Sequence, residues 1–162
     1  MISSHIDFAV STFGPSASAA FDGRGLMPRK WTDQNWASLF QFTTARKVKV
    51  GEALIRSGEA QQTLFFVLSG RLEAIIQSTD GSSMGSVSQS GAGAIVGELS
   101  FFDGGKRAAS VWAIQDSEVA AMEPDQYDAF KTAHPDLVVD LLFGLGRLLA
   151  TRLRSTNARV SG

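Results

Sequence analysis

The chain contains no cysteine, which removes disulfide staples, thiolate nucleophiles and cysteine-ligated zinc and leaves the redox compartment open. Histidine is nearly absent: His5 and His134 are the only two, far apart in sequence, so a histidine-centred metal or hydrolase site is poorly supplied. Charge of one sign is missing as well. Fifteen Lys and Arg against sixteen Asp and Glu give a formal net charge of −1, which excludes a nucleic-acid binder that works by surplus positive charge. No apolar run reaches the ~20 residues that a helix needs to cross a bilayer. The opening MISSHIDFAVSTFG lacks the basic start and continuous apolar stretch of a secretory signal. These absences predict a soluble, cytoplasmic protein that does not insert into a membrane.

What remains is ample for a core. Hydrophobic residues make up 44% of 162 residues, enough for a single domain and too much for wholesale disorder. Residues 1–28 are rich in Ser, Ala and Gly, with Phe8, Phe13 and Phe21 scattered through, and no period persists there. They read as a flexible leader, with an arm that docks its phenylalanines on the domain or a partner as the alternative. Residues 29–162 form the domain proper.

Thr32 opens TDQNWASLFQF as an N-cap, with Asp33 in the first turn and Trp36, Leu39 and Phe40 on one face; a short amphipathic helix follows. From Ala45 the texture changes to short strands punctuated by turn residues: ARKVKV, ALIR, the strongly apolar TLFFVLS, RLEAIIQS, MGSVS, the glycine-rich GAGAIVGE, AASVWAI and SEVAAM. Asp80-Gly81 reads as a hairpin turn. The pattern predicts a mainly β fold, an antiparallel, jelly-roll-like barrel of about eight strands with flanking helices. Pro124 starts a helical stretch, and Pro135 restarts one from Asp136 to about Asn157. Arg147, Arg152, Arg154 and Arg159 crowd its far end, where cations complement the helix dipole.

The stretch GELSFFDGGKRAASV at 97–111 carries the chemistry. Gly97 lets the backbone bend or approach a ligand closely. ELSFF supplies one or two helical turns whose first N–H groups suit an anion. Gly104-Gly105 turns the chain back, and Arg107 reaches the same anion with a planar fork. Glu98 then serves as an acceptor for neighbouring hydroxyls, so anion plus hydroxyls points to a sugar phosphate. Spacing alone leaves a plainer reading open: an acid near a helix start is favoured by the dipole, and an Arg entering a strand is usually a surface residue. Other motifs do not hold. GAGAIVG has the wrong last spacing for a dinucleotide fingerprint, GGKR lacks the rest of a P-loop, and Ser100 sits in no Gly-x-Ser-x-Gly elbow. His134 reads most simply as a helix-boundary residue, and Trp112 as a packing one, with contact to a base as its alternative.

The stretch VGELSFFDGGKRAASV resembles the phosphate-binding cassette of cyclic nucleotide-binding domains, with the separation between acid and Arg preserved. GEALIRSGEAQQTLFFVLSGRLEAI resembles the opening strands of that family, and HPDLVVDLLFGLGRLLATRLRSTN its final helix. The resemblance covers about residues 45–157. It implies that Glu98 binds the ribose 2′-hydroxyl and Arg107 the exocyclic phosphate, while the backbone of Gly97, Leu99, Ser100, Ala108 and Ala109 lines phosphate and ribose. Val96 stands where an aromatic is usual and Lys106 where Pro is usual; neither change removes a contact. Ala108 stands where members favouring cyclic GMP often carry Thr, so the resemblance implies cyclic AMP, with cyclic GMP as the alternative, and no metal or cofactor.

The expected function is therefore a cyclic nucleotide sensor whose occupancy repositions the C-terminal helix. It is not expected to be an enzyme, since no nucleophile, base and orienting group occur together. The near-continuous apolar run from Leu137 to Phe143 exceeds what one face needs and predicts a helix-mediated homodimer. Direct DNA binding is not expected, because the chain ends soon after the long helix. The rival readings are a ligand-free interaction or dimerisation module with a vestigial pocket, and the sensor fragment of a transcription regulator or transporter acting on an effector domain.

Overall fold

The structure is a computed structural model that describes residues 20–21, 26–27, 30–77 and 84–160. Its elements run α1 (Asp33–Phe40), β1 (Thr44–Val48), β2 (Ala53–Ile55), β3 (Leu64–Ser69), β4 (Arg71–Gln77), β5 (Met84–Gly91), β6 (Ile95–Val96), α2 (Glu98–Asp103), β7 (Ser110–Ala113), β8 (Ser117–Met122), α3 (Pro124–Ala133) and α4 (Pro135–Val160). The Asp80-Gly81 turn lies outside the described residues, as do Phe8 and Phe13.

The eight described strands pair antiparallel, as the turn spacing predicted, in two four-stranded sheets rather than one closed ring. One sheet has the order β1-β8-β3-β6 and the other β2-β7-β4-β5. Strand β5 is longer than the MGSVS segment and takes in the whole of Met84–Gly91, because its ladder with β4 runs from Gln77–Met84 to Arg71–Gly91. Polar residues on an edge strand carry no apolar alternation, so the sequence pattern ends before the strand does.

Strands β3 and β8 of the first sheet are buried on both faces, which explains why TLFFVLS reads as a continuous apolar run. Phe65 and Val67 of β3 join Val119 and Ala121 of β8 and Leu72, Val111 and Ala113 of the other sheet in the core between the sheets. Their neighbours Leu64, Phe66, Ala120 and Met122 point the opposite way, as the two-residue period of a strand requires, into a second core shared with the helices. That second core gathers Trp31, Trp36, Leu39, Phe40, Phe130, Leu137, Val138, Leu141 and Leu145. Fully burying each such aliphatic or aromatic side chain contributes roughly 1.5–3 kcal/mol.

The helices start where the sequence says. Thr32 accepts a hydrogen bond from the Asn35 backbone N–H at 3.2 Å, and Asn35 Oδ1 accepts one from the Thr32 N–H at 3.0 Å, closing a capping box on α1. Pro124 occupies the first turn of α3. Trp31 Nε1 donates to Asp140 Oδ2 at 3.0 Å, tying the approach to α1 onto α4. Of residues 1–28, read as a leader, Phe21 and Met27 are described and buried in the helix-side core. Phe21 packs against the rings of Trp36, Phe40 and Phe66. Helix α4 packs by its first half: Leu137, Val138, Leu141 and Leu145 are buried, whereas Val139, Leu142, Phe143 and Leu153 are exposed.

Candidate nucleotide-binding site

The site is assembled by the short helix α2 and the strand entry that follows it. Gly97 precedes α2 with φ +87°, a left-handed conformation that L side chains avoid. The space above it is taken too: a Cβ there would lie 2.7 Å from both the Thr63 carbonyl oxygen and an Arg107 terminal nitrogen. Arg107 therefore lies across Gly97. Its Nη1 donates to the Gly97 carbonyl at 3.1 Å and its Nη2 to the Thr63 carbonyl at 2.7 Å. The Arg107 backbone is fixed as well, donating to the Glu59 carbonyl and accepting from the Gly58 N–H, both at 2.9 Å.

Arg107 is only 4% exposed and Glu98 only 5%. Two buried groups of opposite charge thus stand on the walls of one cavity of about 200 Å³. Gly97, Leu99, Ser100, Ala108 and Ala109 line the same cavity, so all seven residues singled out from the sequence are brought together. Ile55, Ala74, Ile76 and Val111 give it an apolar wall, and Ser88 and Ser90 add hydroxyls. Burial pushes the Arg107 guanidinium below its ordinary value, while Glu123, Glu98 and Glu59 pull it back up; an arginine stays charged at neutral pH regardless. The Arg107 Nε is buried without a hydrogen-bond partner. A buried cation that retains an unpaired donor beside a cavity is suited to an anion.

Two features were not legible in the sequence. Thr63 supplies a carbonyl to Arg107 from the loop before β3, and backbone acceptors leave no mark on residue type. Arg152, read above as a cation complementing the end of α4, instead reaches the cavity. It forms an ion pair with Glu98 through Nη1 and donates from Nη2 to the Ile95 carbonyl at 2.7 Å. Trp112 lies under the Arg56 guanidinium, 5.3 Å from its ring centre, and His134 packs at the α3–α4 junction against Phe42 and Phe130. Among the described residues no group of three or more His, Asp and Glu side chains is placed to hold a metal ion, and no helix is long and apolar enough to cross a membrane.

Comparison with known proteins agrees with this geometry. A lysophospholipase of Aspergillus terreus is 30% identical over 108 residues, which is 67% of this chain and 7% of that protein. This chain thus spans a small part of the curated relative, whose named activity does not transfer with the match. The catabolite activator protein of Thermus thermophilus superposes with a TM-score of 0.71 at 26% identity, covering 80% of this chain and 59% of that one. A cyclic nucleotide-binding domain from Methylobacillus flagellatus superposes with a TM-score of 0.82 over 93% of this chain and 84% of its own, at 21% identity, which shows a shared fold. The family described as cyclic nucleotide-binding domain matches residues 45–134, from β1 through α3 and across the whole cassette, and the chain belongs to that family.

Proposed function

We propose that the chain is a cyclic mononucleotide sensor with cyclic AMP as its preferred ligand. The observation that carries this reading is the convergence of Glu98 and Arg107, both buried, on one cavity with the cassette backbone. In it, Arg107 binds the exocyclic phosphate, satisfying its spare donors, and Glu98 accepts the ribose 2′-hydroxyl. Gly97, Leu99, Ser100, Ala108 and Ala109 frame phosphate and ribose. The cyclic AMP preference is supported by Ala108, which lines the cavity and has no hydroxyl to offer a guanine. Isothermal calorimetry with a panel of cyclic mononucleotides tests ligand and base preference together. Flat titrations with every member overturn the reading and leave an interaction module with a vestigial pocket.

Ligand occupancy is read out through α4, and a ligand shifts its position only by binding one arrangement better than another. Typical coupling energies are ~1–3 kcal/mol. We further propose that α4 pairs with a second copy. Val139, Leu142, Gly146, Leu149 and Leu153 recur at alternating three- and four-residue steps, the period of a coiled-coil seam, and Val139 and Leu153 are 63% and 62% exposed. Sedimentation showing only monomer at high micromolar concentration overturns the pairing. The chain spans under a tenth of the curated relative's length, which supports an effector domain or partner working with the sensor; in this reading the sensor works in the cytoplasm without direct contact to DNA.

A further inference from the structure

Helix α4 carries its charge unevenly. Its acids, Asp136 and Asp140, sit in the first two turns, and its bases, Arg147, Arg152, Arg154 and Arg159, all follow Gly146. At 3.6 residues per turn, Asp136, Asp140, Arg147 and Arg154 fall along one flank of the helix. A different face meets the rest of the domain: Leu141 and Leu145 are buried there, and Arg152 reaches Glu98. The seam of Val139, Leu142, Gly146, Leu149 and Leu153 lies beside the charged flank, about a third of a turn round from the domain face. Exposed Pro135 extends that seam by one step toward the helix start. The two glycines of α4 are not alike. Gly144 is packed from within, since a Cβ there would lie 2.9 Å from the Leu26 carbonyl oxygen. At Gly146, in the seam, nothing among the described residues lies within 4 Å of where a Cβ would stand. Glycine inside a helix weakens it relative to alanine, and packing against the described residues of the chain gives no reason for it at Gly146.

We propose that α4 pairs with α4 of a second copy in the antiparallel sense, with Leu142 of each copy seated over Gly146 of the other. This rests on the pairing proposed above and adds its direction and register. Val139 then faces Leu149 of the second copy and Leu153 faces its Pro135, so every seam position meets an apolar or small residue. The charged flanks also meet each other, because an antiparallel two-fold pair places the same flank of both helices on one side. Asp136 comes within one turn of Arg154 of the second copy, and Asp140 within one turn of its Arg147. Symmetry doubles each of these attractions. A parallel pair does the reverse: it sets the arginine-bearing halves side by side and gathers the acids at the other end. Like charges brought together oppose association, and opposite charges fix its register. The domain face of α4 takes no part in the seam, so the contact of Arg152 with Glu98 and the cassette cavity stay within each copy.

The full 162-residue chain has no cysteine to interfere with a spin label. One label is placed on Ala150→Cys and, in a separate sample, on Ala158→Cys, both exposed positions of the far half of α4. With a rise of 1.5 Å per residue, the antiparallel register sets the two labels of a dimer about 18 Å apart along the axis at position 150 and about 42 Å apart at position 158. The distance measured for Ala158→Cys is therefore expected to exceed that for Ala150→Cys by about 20 Å. Similar short distances at both positions show a parallel pair and overturn the direction while leaving the pairing intact. Sedimentation of the unlabelled chain as monomer throughout the micromolar range defeats the pairing itself. Charge reversal supplies the second readout. Arg154→Glu is expected to self-associate roughly threefold to tenfold more weakly, and Asp136→Arg combined with Arg154→Glu to recover most of that loss. Unchanged or tighter self-association by Arg154→Glu overturns the antiparallel arrangement, since removing an arginine from a cluster of arginines is what a parallel pair rewards.

Discussion

Replacing Gly97 with alanine tests whether the cassette is built around the close seat of Arg107. Two costs are visible in the geometry. The first is conformational: φ is +87°, and a Cβ in the left-handed region costs roughly 1–2 kcal/mol. The second is steric: the new Cβ meets a backbone carbonyl and the guanidinium, each at 2.7 Å. The guanidinium is pinned by that Thr63 carbonyl and by the carbonyl of Gly97 itself, so relief requires shifting Thr63 or breaking its hydrogen bond, and overpacking of this kind costs ~1–3 kcal/mol. Gly51 is the matched control, with φ +86° and nothing within 4 Å of where an alanine methyl would stand. Gly51→Ala therefore bears only the first cost. At about 2–4 °C per kcal/mol for a domain of this size, Gly97→Ala is expected to melt several degrees below Gly51→Ala by differential scanning calorimetry. Gly97→Ala is also expected to lose cyclic AMP affinity that Gly51→Ala retains. Equal melting temperatures for the two variants refute the close seat.

Arg107→Ala is expected to weaken cyclic AMP binding by on the order of a hundredfold or more, since each charge-assisted hydrogen bond contributes ~1.5–3 kcal/mol; calorimetry at wild-type affinity counts against the phosphate assignment. Phe21→Ala, at a position 1% exposed among Trp36, Phe40 and Phe66, is expected to cost about 3–5 kcal/mol, and an unchanged thermal midpoint removes Phe21 from the core. The Asp116 carboxyl is held below its ordinary value first by the Val50 N–H and then by Lys49. Its contribution is therefore present above the unfolded carboxylate value and lost as pH falls through the lower folded one, below about pH 4. Asp116→Asn is expected to flatten the acid limb of melting temperature against pH, and a limb identical to wild type refutes that role.

The parts of the fold that declare themselves in the sequence are those decided locally. Thr32 and Pro124 mark helix starts because capping and missing N–H groups act within one turn. The cassette is legible through its resemblance to a family pattern, because Gly97, Glu98 and Arg107 lie within one short stretch; their spacing alone leaves a plainer reading open. Phe21 and Met27 were hidden among serines and alanines with no period, since their burial is decided by tryptophans and phenylalanines met only in the folded chain. Arg152 was hidden for the same reason. On α4 it is one of several arginines near the end of a helix, and nothing in its neighbourhood distinguishes the one that reaches Glu98, 54 positions away. The length of β5 was hidden because an edge strand is defined by its partner's register rather than by its own polarity.

The double-sided burial of β3 makes adjacent residues serve different rooms of the molecule: Phe65 lies beneath the Arg107 guanidinium, 5.9 Å from ring centre to cation, and Phe66 meets Phe21 and Phe40. Neither ring can be displaced without disturbing the peptide that joins them. The amide protons of this strand, paired with β8 and β6 and shielded above and below, are thus expected to exchange with solvent only when the entire domain opens. That makes this strand an internal gauge of global stability, insensitive to any swinging of the far end of the last helix.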